Sequence, residues 1–324
     1  FIKPGLEDLC VSRTTVKWGV RVDFDPAHVA YVWIDALFNY MTALGYQNSA
    51  HDDMRFWPAD AHIIGKDIVR FHSIIWPAFL MALELPLPKK VFGHGFVNMN
   101  GEKLSKSTGN VVDPYVLAER YGADALRFFL LRTIPYGSDG DYANELLINC
   151  INTDLANNLG NLVSRTVAMI GKYFGGALPG TLADNCEPFD RELLDIASAL
   201  PAAYDAQMDK MAFHAALAEV FRLASRANKY IDETTPWTLS KNIADSQRLA
   251  RVLYNLLESI RFCAVTLSPF MPETAEKILA QIGAGELCGW ESLTFGNLPR
   301  NTRVTKGETL FPRISASNDP ETPG

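Results

Sequence analysis

Residues 98–110, NMNGEKLSKSTGN, place two lysines among glycines and hydroxyl side chains. The ammonium groups of Lys103 and Lys106 are compact charges on flexible stems, suited to following a phosphate whose charge develops during a reaction. The neighbouring serines, threonine and glycines can supply hydroxyls and exposed backbone N–H groups, which form anion-binding nests. The loop therefore predicts polyphosphate binding, with a solvated surface turn as the alternative. Its spacing does not match the GxxxxGK[ST] phosphate loop.

The segments before this lysine loop are typical of a sheet with helical crossovers. Short β-rich runs occupy residues 29–33, 61–65 and 91–97, and a helical stretch covers residues 67–83. Strand, helix and strand at this spacing predict a parallel sheet. Ligands of such sheets bind at the carboxyl ends of the strands, and the lysine loop follows the last of these runs.

From residue 113 onward the pattern becomes helical. Asp113-Pro114 predicts a helix start, because a capping aspartate is followed by a proline in the first turn. Long helical segments follow at residues 144–176, 211–237 and 245–270, and the first of them ends in paired glycines. Their apolar side chains recur at helical spacing, which predicts a helix bundle.

Together these patterns predict an α/β fold followed by an all-α helix bundle. The chain has 324 residues, too many for one ordinary core, so we expect two domains. The α/β domain is predicted at residues 1–140 and the helical domain at 141–314, with a turn-rich connector between them. The polar residues 315–324 are predicted to be a disordered tail.

The composition argues against several classes of protein. A net charge of −7 does not indicate general nucleic-acid binding, so any such binding would need a local patch. The five cysteines form no CxxC pair, which argues against a zinc knuckle or a disulfide scaffold. No apolar run approaches the roughly 20 residues of a membrane span, and no signal peptide is visible. We therefore expect a cytoplasmic protein without a membrane partner.

Several blocks of the sequence resemble one family. KLSKS at residues 103–107 is similar to the KMSKS signature of class I aminoacyl-tRNA synthetases. Its surroundings narrow the resemblance to the methionyl-tRNA synthetase family. The blocks that carry it are YVWIDALFNYMTALGY (31–46), HIIGKDIVRFHSIIWPAFLMAL (62–83), VFGHGFVNMNGEKLSKSTGNVVDP (91–114), GADALRFFLLR (122–132), NLVSR (161–165), PW (236–237) and LFPRI (310–314).

The resemblance implies catalytic residues in the lysine loop. Lys106 would stabilise the transition state of adenylate formation, with Lys103 assisting. An ammonium group can offset the charge that builds when a carboxylate attacks the α-phosphate. Arg13, in the block VSRT, matches a family arginine near the active site.

The resemblance also implies an ATP site, with Mg²⁺ accompanying the nucleotide. Gly65 would permit close backbone approach to the nucleotide, and Asp67 would accept hydrogen bonds from the ribose hydroxyls. Lys106 and Ser105 complete the implied ATP contacts. Helix capping is the alternative role for Asp67.

For methionine, the resemblance points to Trp33, Ala36, Tyr40, Ile68 and His72. A thioether needs apolar, polarisable walls, and Trp33 and Tyr40 offer aromatic surface to sulfur. His72 would either hold Tyr40 or contact the ligand. The alternative is that these aromatic residues and the histidine form ordinary core.

In the helical domain, the resemblance implies that Asn161, Arg165 and Trp237 read a CAU anticodon. Asn161 and Arg165 are four residues apart and lie off the apolar stripe, and Trp237 follows Pro236 at a helix end. Amide and guanidinium groups suit base edges, and an indole suits base stacking. The implied partners are the initiator and elongator methionine tRNAs. A helix cap and a buried tryptophan are the alternative.

One class I signature, His-Ile-Gly-His, does not occur in the sequence. In the family it lies on the first strand of the nucleotide fold. We therefore expect the chain to be the C-terminal portion of a family member, containing the second half of a Rossmann-like nucleotide-binding domain and the anticodon domain. An N-terminal half is then an expected partner. Alone, the chain is expected to form no methionyl-adenylate at a useful rate and to hold no metal site.

Three alternatives stay open. A synthetase for Leu, Ile, Val or Cys would share KLSKS but lack the WIDALFNY, NLVSR and Pro-Trp blocks. A non-catalytic tRNA-binding module would need neither Lys106 nor Asp67. An unrelated nucleotide-binding α/β protein would not explain the matches in the helical domain.

Overall fold

The computed structural model describes residues 2–48, 50–99, 102–103 and 112–315. The chain packs as two compact units, Phe1–Phe96 and Val97–Gly324. The domain boundary near residue 140 stays a prediction. So does the disordered tail, because residues 316–324 lie outside the described residues.

The first unit contains two small sheets. Strands β1 (Ser12–Arg13), β2 (Arg21–Val22) and β3 (Asp25–Ala30) form an antiparallel sheet in the order β1-β3-β2. Strands β4 (His62–Gly65) and β5 (Val91–His94) form a parallel pair, with His62 opposite Val91 and Gly65 opposite His94. The predicted parallel pairing of the runs at 61–65 and 91–97 is confirmed.

The strand predicted at residues 29–33 is wrong beyond Ala30. Helix α1 spans Val32–Ala43, and Tyr31 is its extended N-terminal boundary residue. The apolar residues of this segment follow a helical period. Leu37 and Met41, for example, are four residues apart and both fully buried. This period outweighs the β propensity of the individual residues.

The helical crossover predicted at residues 67–83 is confirmed, with mixed geometry. A 3₁₀ turn at Lys66–Ile68 leads through a π-helical turn at Phe71–Ile75 into α2 (Trp76–Ala82). Pro77 has no N–H to donate to the carbonyl four residues earlier, which accounts for the widened turn before it.

The second unit begins with a three-stranded sheet in the order β7-β6-β8. Strands β6 (Val97–Met99) and β8 (Gly140–Tyr142) are parallel, and β7 (Glu102–Lys103) pairs antiparallel with β6. Helices α3 (Pro114–Tyr121) and α4 (Ala123–Thr133) lie between β7 and β8 in the chain. The predicted helix start is confirmed, because the Asp113 carboxylate accepts a hydrogen bond from the Tyr115 N–H at 2.8 Å.

The rest of the second unit is a helix bundle, as predicted. Helices α5 (Asn144–Cys150) and α6 (Asn161–Phe174) are continuous through a π-helical segment, Ile151–Gly160, and α6 ends at left-handed Gly175 (φ 62°). The remaining helices are α7 (Pro188–Met208), α8 (Phe213–Thr234), α9 (Pro236–Leu239), α10 (Ser246–Leu267) and α11 (Pro272–Gln281). Helix α10 is almost wholly buried and forms the centre of the bundle.

Helix α7 is not among the predicted helices, because Pro201 interrupts its pattern. None of the described helices is long and apolar enough to cross a membrane.

Candidate functional site

A hydrogen-bonded tyrosine–histidine pair, of which the histidine is buried, lies between α1 and the crossover helix of the first unit. The Tyr40 hydroxyl lies 2.9 Å from His72 Nε2, and His72 Nδ1 lies 3.0 Å from the Ile68 carbonyl oxygen. Because a carbonyl only accepts, His72 Nδ1 donates to Ile68, while Nε2 shares a hydrogen bond with the Tyr40 hydroxyl. Hydrogen bonds at both ring nitrogens therefore fix the orientation of the His72 ring.

Aromatic surface continues from this pair. The Trp33 indole stacks on Phe71 with ring centroids 3.9 Å apart, and it meets the His72 ring edge-on at 6.4 Å. Ile68 is half-buried and Ala36 is exposed. The structure thus brings Trp33, Tyr40, Ile68 and His72 into one cluster, whereas their role towards methionine stays a prediction.

Sequence reasoning does not reveal two members of this cluster, His62 and Trp76. The Trp76 Nε1–H donates to His62 Nε2 at 3.2 Å, and the His62 ring lies 4.4 Å from that of Tyr40. Burial lowers the pKa of His62, and the nearby His72 lowers it further. His62 begins strand β4, 14 residues before Trp76, so no local pattern links the two.

Acidification should destabilise the first unit through His62. Its pKa is lowered in the folded state, so between about pH 6.5 and that lowered value only the unfolded chain binds the proton. The stabilisation is therefore fully present above about pH 6.5 and is lost as the pH falls. His62→Gln can keep the acceptor for Trp76 but cannot titrate.

This prediction is checked by urea unfolding at pH 7.5 and 5.5, monitored by tryptophan fluorescence. Wild type should lose more stability on acidification than His62→Gln, since the other histidines titrate in both proteins. Equal losses would refute the role of His62.

The predicted ATP residues lie at the end of the parallel pair. Gly65 ends β4, and Asp67 follows in the 3₁₀ turn with an exposed side chain. Gly65, not Asp67, is the N-cap residue of this turn, so the alternative capping role of Asp67 is not observed. A Cβ at Gly65 would lie 2.6 Å from Asp67 Oδ1, so the glycine makes room for this carboxylate.

The implied catalytic residues are only partly described. The guanidinium of exposed Arg13 lies 3.9 Å from the centroid of the Tyr31 ring. Lys103 is described as part of strand β7 by its backbone alone. Ser105 and Lys106 lie outside the described residues, so their roles stay predictions.

The three predicted anticodon residues lie on two adjacent parts of the bundle. Asn161 is exposed at the start of α6, and Arg165 Nη2 is 3.2 Å from Asp232 Oδ1 on α8. Trp237 lies in α9, five residues after Asp232 in the chain, and 42% of its surface is exposed. Trp237 is therefore not the buried tryptophan of the alternative interpretation, and its ring is open to a stacking partner.

The described residues do not form a metal-binding site. No group of three His, Cys, Asp or Glu side chains converges among them.

Two family models match the chain. The model "tRNA synthetases class I (M)" covers residues 1–167, and "Anticodon binding domain of methionyl tRNA ligase" covers residues 183–321. The first covers the strands and the lysine loop, and the second covers most of the bundle.

Curated relatives match over nearly the whole chain. A methionine–tRNA ligase of Caldanaerobacter subterraneus is 58% identical over 321 residues, which are 98% of this chain and 50% of the relative. That of Bacillus subtilis is 54% identical over 324 residues, 98% of this chain and 48% of the relative. The chain thus spans about half the length of the curated relatives it matches.

A solved structure has the same fold. The methionyl-tRNA synthetase of Mycobacterium tuberculosis, in complex with methionyl-adenylate, superposes with a TM-score of 0.89 at 42% identity. The match covers 96% of this chain and 61% of that one.

Proposed function

Because this chain belongs to the methionyl-tRNA synthetase family of class I, we propose that it contributes to a methionine–tRNA ligase. The reaction activates methionine with ATP and transfers it to a tRNA that carries the CAU anticodon. The observation that carries the proposal is that a class I catalytic model and a methionyl anticodon-binding model match the same chain. A synthetase for Leu, Ile, Val or Cys and an unrelated nucleotide-binding protein are no longer supported.

The aromatic cluster of the first unit supports methionine binding. Trp33 and Tyr40 offer polarisable surface to a thioether, and Ile68 adds an apolar wall. His72, held by the Ile68 carbonyl, keeps the Tyr40 hydroxyl in one orientation. Ala36, exposed on α1, lies one turn from Tyr40 and leaves space beside it. A preorganised aromatic pocket of this kind suits an apolar, polarisable side chain.

ATP is proposed to bind beside the end of β4. Gly65 allows close backbone approach, and the exposed Asp67 carboxylate can accept hydrogen bonds from ribose hydroxyls. Mg²⁺ would neutralise part of the triphosphate charge when bound with it. Ser105 adds a hydroxyl to the phosphates.

Adenylate formation is proposed to use cationic side chains. The methionine carboxylate attacks the α-phosphorus, pyrophosphate leaves, and methionyl-adenylate then passes methionine to the tRNA with release of AMP. Lys106, assisted by Lys103, would offset the charge that develops on the phosphates. Arg13 offers a further guanidinium that suits a carboxylate or phosphate.

The exposed end of the bundle is proposed to read the anticodon. Trp237 would stack on an unpaired base, while Asn161 and Arg165 would contact base edges. Initiator and elongator methionine tRNAs share CAU, so both are proposed partners.

Cytoplasmic location, the contribution of an N-terminal half and inactivity of the chain alone stay predictions. So does the alternative of a tRNA-binding module without catalysis.

Trp237→Ala should weaken binding of CAU tRNA by about 1–3 kcal/mol, the effect of removing one base–aromatic stack. Trp290→Ala is a matched control, because Trp290 lies in the same unit with 44% of its surface exposed, against 42% for Trp237. Filter binding or anisotropy with labelled tRNA measures both. Equal effects of the two substitutions would remove the stacking role of Trp237.

A further inference from the structure

The corner between α8 and α9 is strained at the residue before the Pro-Trp pair. Thr235 has φ 42° and ψ 62°, the left-handed region, which is unfavourable for a β-branched residue. A proline also favours extended backbone in the residue before it, and Thr235 is not extended. Such strain persists only where the surrounding structure fixes the backbone, and it is common at functional sites.

This corner sets the direction of α9 and therefore the position of Trp237. The Thr235 N–H donates to the Ile231 carbonyl at 3.1 Å and ends α8, while the Thr235 carbonyl accepts from the Thr238 N–H at 2.8 Å in the first turn of α9. No further residue separates the two helices. A change in the backbone angles of Thr235 would therefore redirect α9 and move the Trp237 ring.

A chain of buried hydrogen bonds connects the corner to the centre of the bundle. The Thr234 hydroxyl donates to the Tyr230 carbonyl at 2.6 Å, and the Tyr230 hydroxyl donates to the Asp190 carboxylate. Asn255 Nδ2 donates to the same Tyr230 hydroxyl at 3.2 Å. Tyr230 has no exposed surface and Asp190 is 1% exposed, so these bonds are shielded from water. This chain of bonds is called the Tyr230 anchor below.

The start of α7 holds the end of α8 at a second point. The Arg226 guanidinium lies 2.9 Å from the Glu192 carboxylate on α7 and 2.8 Å from the Glu233 carboxylate in the last turn of α8. The Arg226 side chain is only 5% exposed. The same turn carries Asp232, whose carboxylate contacts Arg165. The end of α8 is therefore fixed from within the bundle.

Resting on the proposed function, we propose that Asp190, Tyr230 and Thr234 are positioning residues for anticodon reading. They are not expected to contact the tRNA. They hold the Thr235 corner in its strained conformation, so the Trp237 ring is in place before the tRNA arrives. Preorganisation of this kind raises affinity for the matching ligand, because less conformational freedom is lost on binding.

Tyr230→Phe tests the Tyr230 anchor, because it removes one hydroxyl and keeps the ring. Affinity for CAU tRNA should fall roughly tenfold, the lower end of the effect of losing a hydrogen bond to a charged group. Affinity for the same tRNA with one anticodon base changed should stay as in wild type. Both affinities are measured under conditions in which circular dichroism shows the variant to be folded.

Tyr254→Phe is the matched control. Tyr254 is 3% exposed, and its hydroxyl donates to the Leu298 carbonyl at 2.7 Å, in the loop after α11. The substitution also removes one buried hydroxyl from the bundle, but at a place that has no connection to the Thr235 corner. It should lower stability and keep the full CAU preference.

Thr234→Val breaks the same anchor at another bond and nearly preserves the side-chain shape. It should lower CAU affinity several-fold. Its control is Thr266→Val, because the buried Thr266 hydroxyl donates to the Phe262 carbonyl at 2.8 Å with the same four-residue spacing on α10. Thr266→Val should leave CAU affinity unchanged.

The position of the indole has its own readout in ¹⁹F NMR of the chain labelled with 5-fluorotryptophan. Loss of one resonance in Trp237→Ala assigns the signal of Trp237. Wild type and Tyr254→Phe should give one sharp Trp237 resonance at the same shift, whereas Tyr230→Phe should give a shifted or broadened one. A merely structural role of Tyr230 would lower stability without changing this resonance.

An unchanged CAU preference in Tyr230→Phe, with the wild-type preference present, would overturn the inference alone, and so would an unchanged Trp237 resonance. Equal losses of CAU preference in Tyr230→Phe and Tyr254→Phe would overturn it as well, because the effect would then follow stability. Equal wild-type affinity for the two tRNAs would instead overturn the proposed role of the bundle, and the inference with it.

Discussion

Arg261→Met lowers the free energy of unfolding of the helical unit by about 3–5 kcal/mol, the range for breaking a buried ion pair. Arg261 and Glu258 lie on α10 with no exposed surface, and Arg261 Nε donates to Glu258 Oε2 at 2.8 Å. Removal of the guanidinium leaves the Glu258 carboxylate buried without its counter-charge. We expect this to be the largest single effect on stability.

The same pair holds the loop after α11 against the bundle. Arg261 Nη1 donates to the Ser292 carbonyl at 2.8 Å. Glu258 Oε1 accepts from the N–H groups of Gly296 and Leu298 at 3.0 and 2.7 Å. Arg261 Nη2 also donates to the Thr294 carbonyl at 3.0 Å, so loss of Arg261 removes a donor from two backbone carbonyls, which adds to the destabilisation.

Urea unfolding monitored by circular dichroism at 222 nm measures the effect. Arg222→Met is the matched control, because Arg222 pairs with Glu219 at the same three-residue spacing but on the surface. It should cost no more than about 0.5 kcal/mol. Combining Arg261→Met with Glu258→Gln should recover part of the loss, since no buried charge remains. A single-variant loss no larger than that of Arg222→Met would contradict the prediction.

Asp190→Asn is expected to have an effect of similar size, again about 3–5 kcal/mol. Asp190 is 1% exposed at the start of α7, and its carboxylate accepts from both terminal nitrogens of Arg248 at 2.6 and 3.0 Å. It also accepts from the Tyr230 hydroxyl and from the Glu187 N–H. One carboxylate therefore joins α7, α8 and α10 at the end of the bundle that contains Trp237.

The pH dependence of this effect follows from its cause. Burial raises the pKa of Asp190, but the hydrogen bonds from Arg248, Tyr230 and Glu187 outweigh burial and hold it below its usual value. The stabilisation is therefore fully present above about pH 4 and is lost as the pH falls through the lowered folded pKa. Asp190→Asn should consequently lie closest to wild type in acid.

Chemical unfolding at pH 7 and pH 3 checks this second prediction. Asp195→Asn on the exposed side of the same helix is the control and should unfold as wild type does. A constant difference between wild type and Asp190→Asn across this range would show that the charge is not what stabilises the helix junction.

Much of the bundle follows from local pattern, because helical period and helix ends are recorded in neighbouring residues. Asp113 and Gly175 mark helix limits in the sequence and in the structure. Helix α7 escapes prediction because Pro201 conceals its period. The start of α1 resembles a strand in sequence because Val32 and Trp33 favour β structure individually.

The candidate site is predictable only as far as the family resemblance reaches. It indicates Tyr40 and His72, which the structure joins by a hydrogen bond. The resemblance does not indicate His62, because its partner Trp76 reaches it only through the packing of the crossover helix on β4. The stabilising roles of Asp190 and Arg261 could not be predicted for another reason: sequence alone does not distinguish a buried, paired charge from a solvated one.

The central claim, that this chain serves a methionine–tRNA ligase, is tested most directly by tRNA discrimination. The measurement is the affinity of the wild-type chain for CAU tRNA and for the same tRNA with one anticodon base changed. The proposed function predicts at least a roughly tenfold preference for CAU, about 1.4 kcal/mol, that Trp237→Ala reduces. Equal affinity for the two tRNAs would contradict anticodon reading by Asn161, Arg165 and Trp237, and with it the proposed role of the bundle.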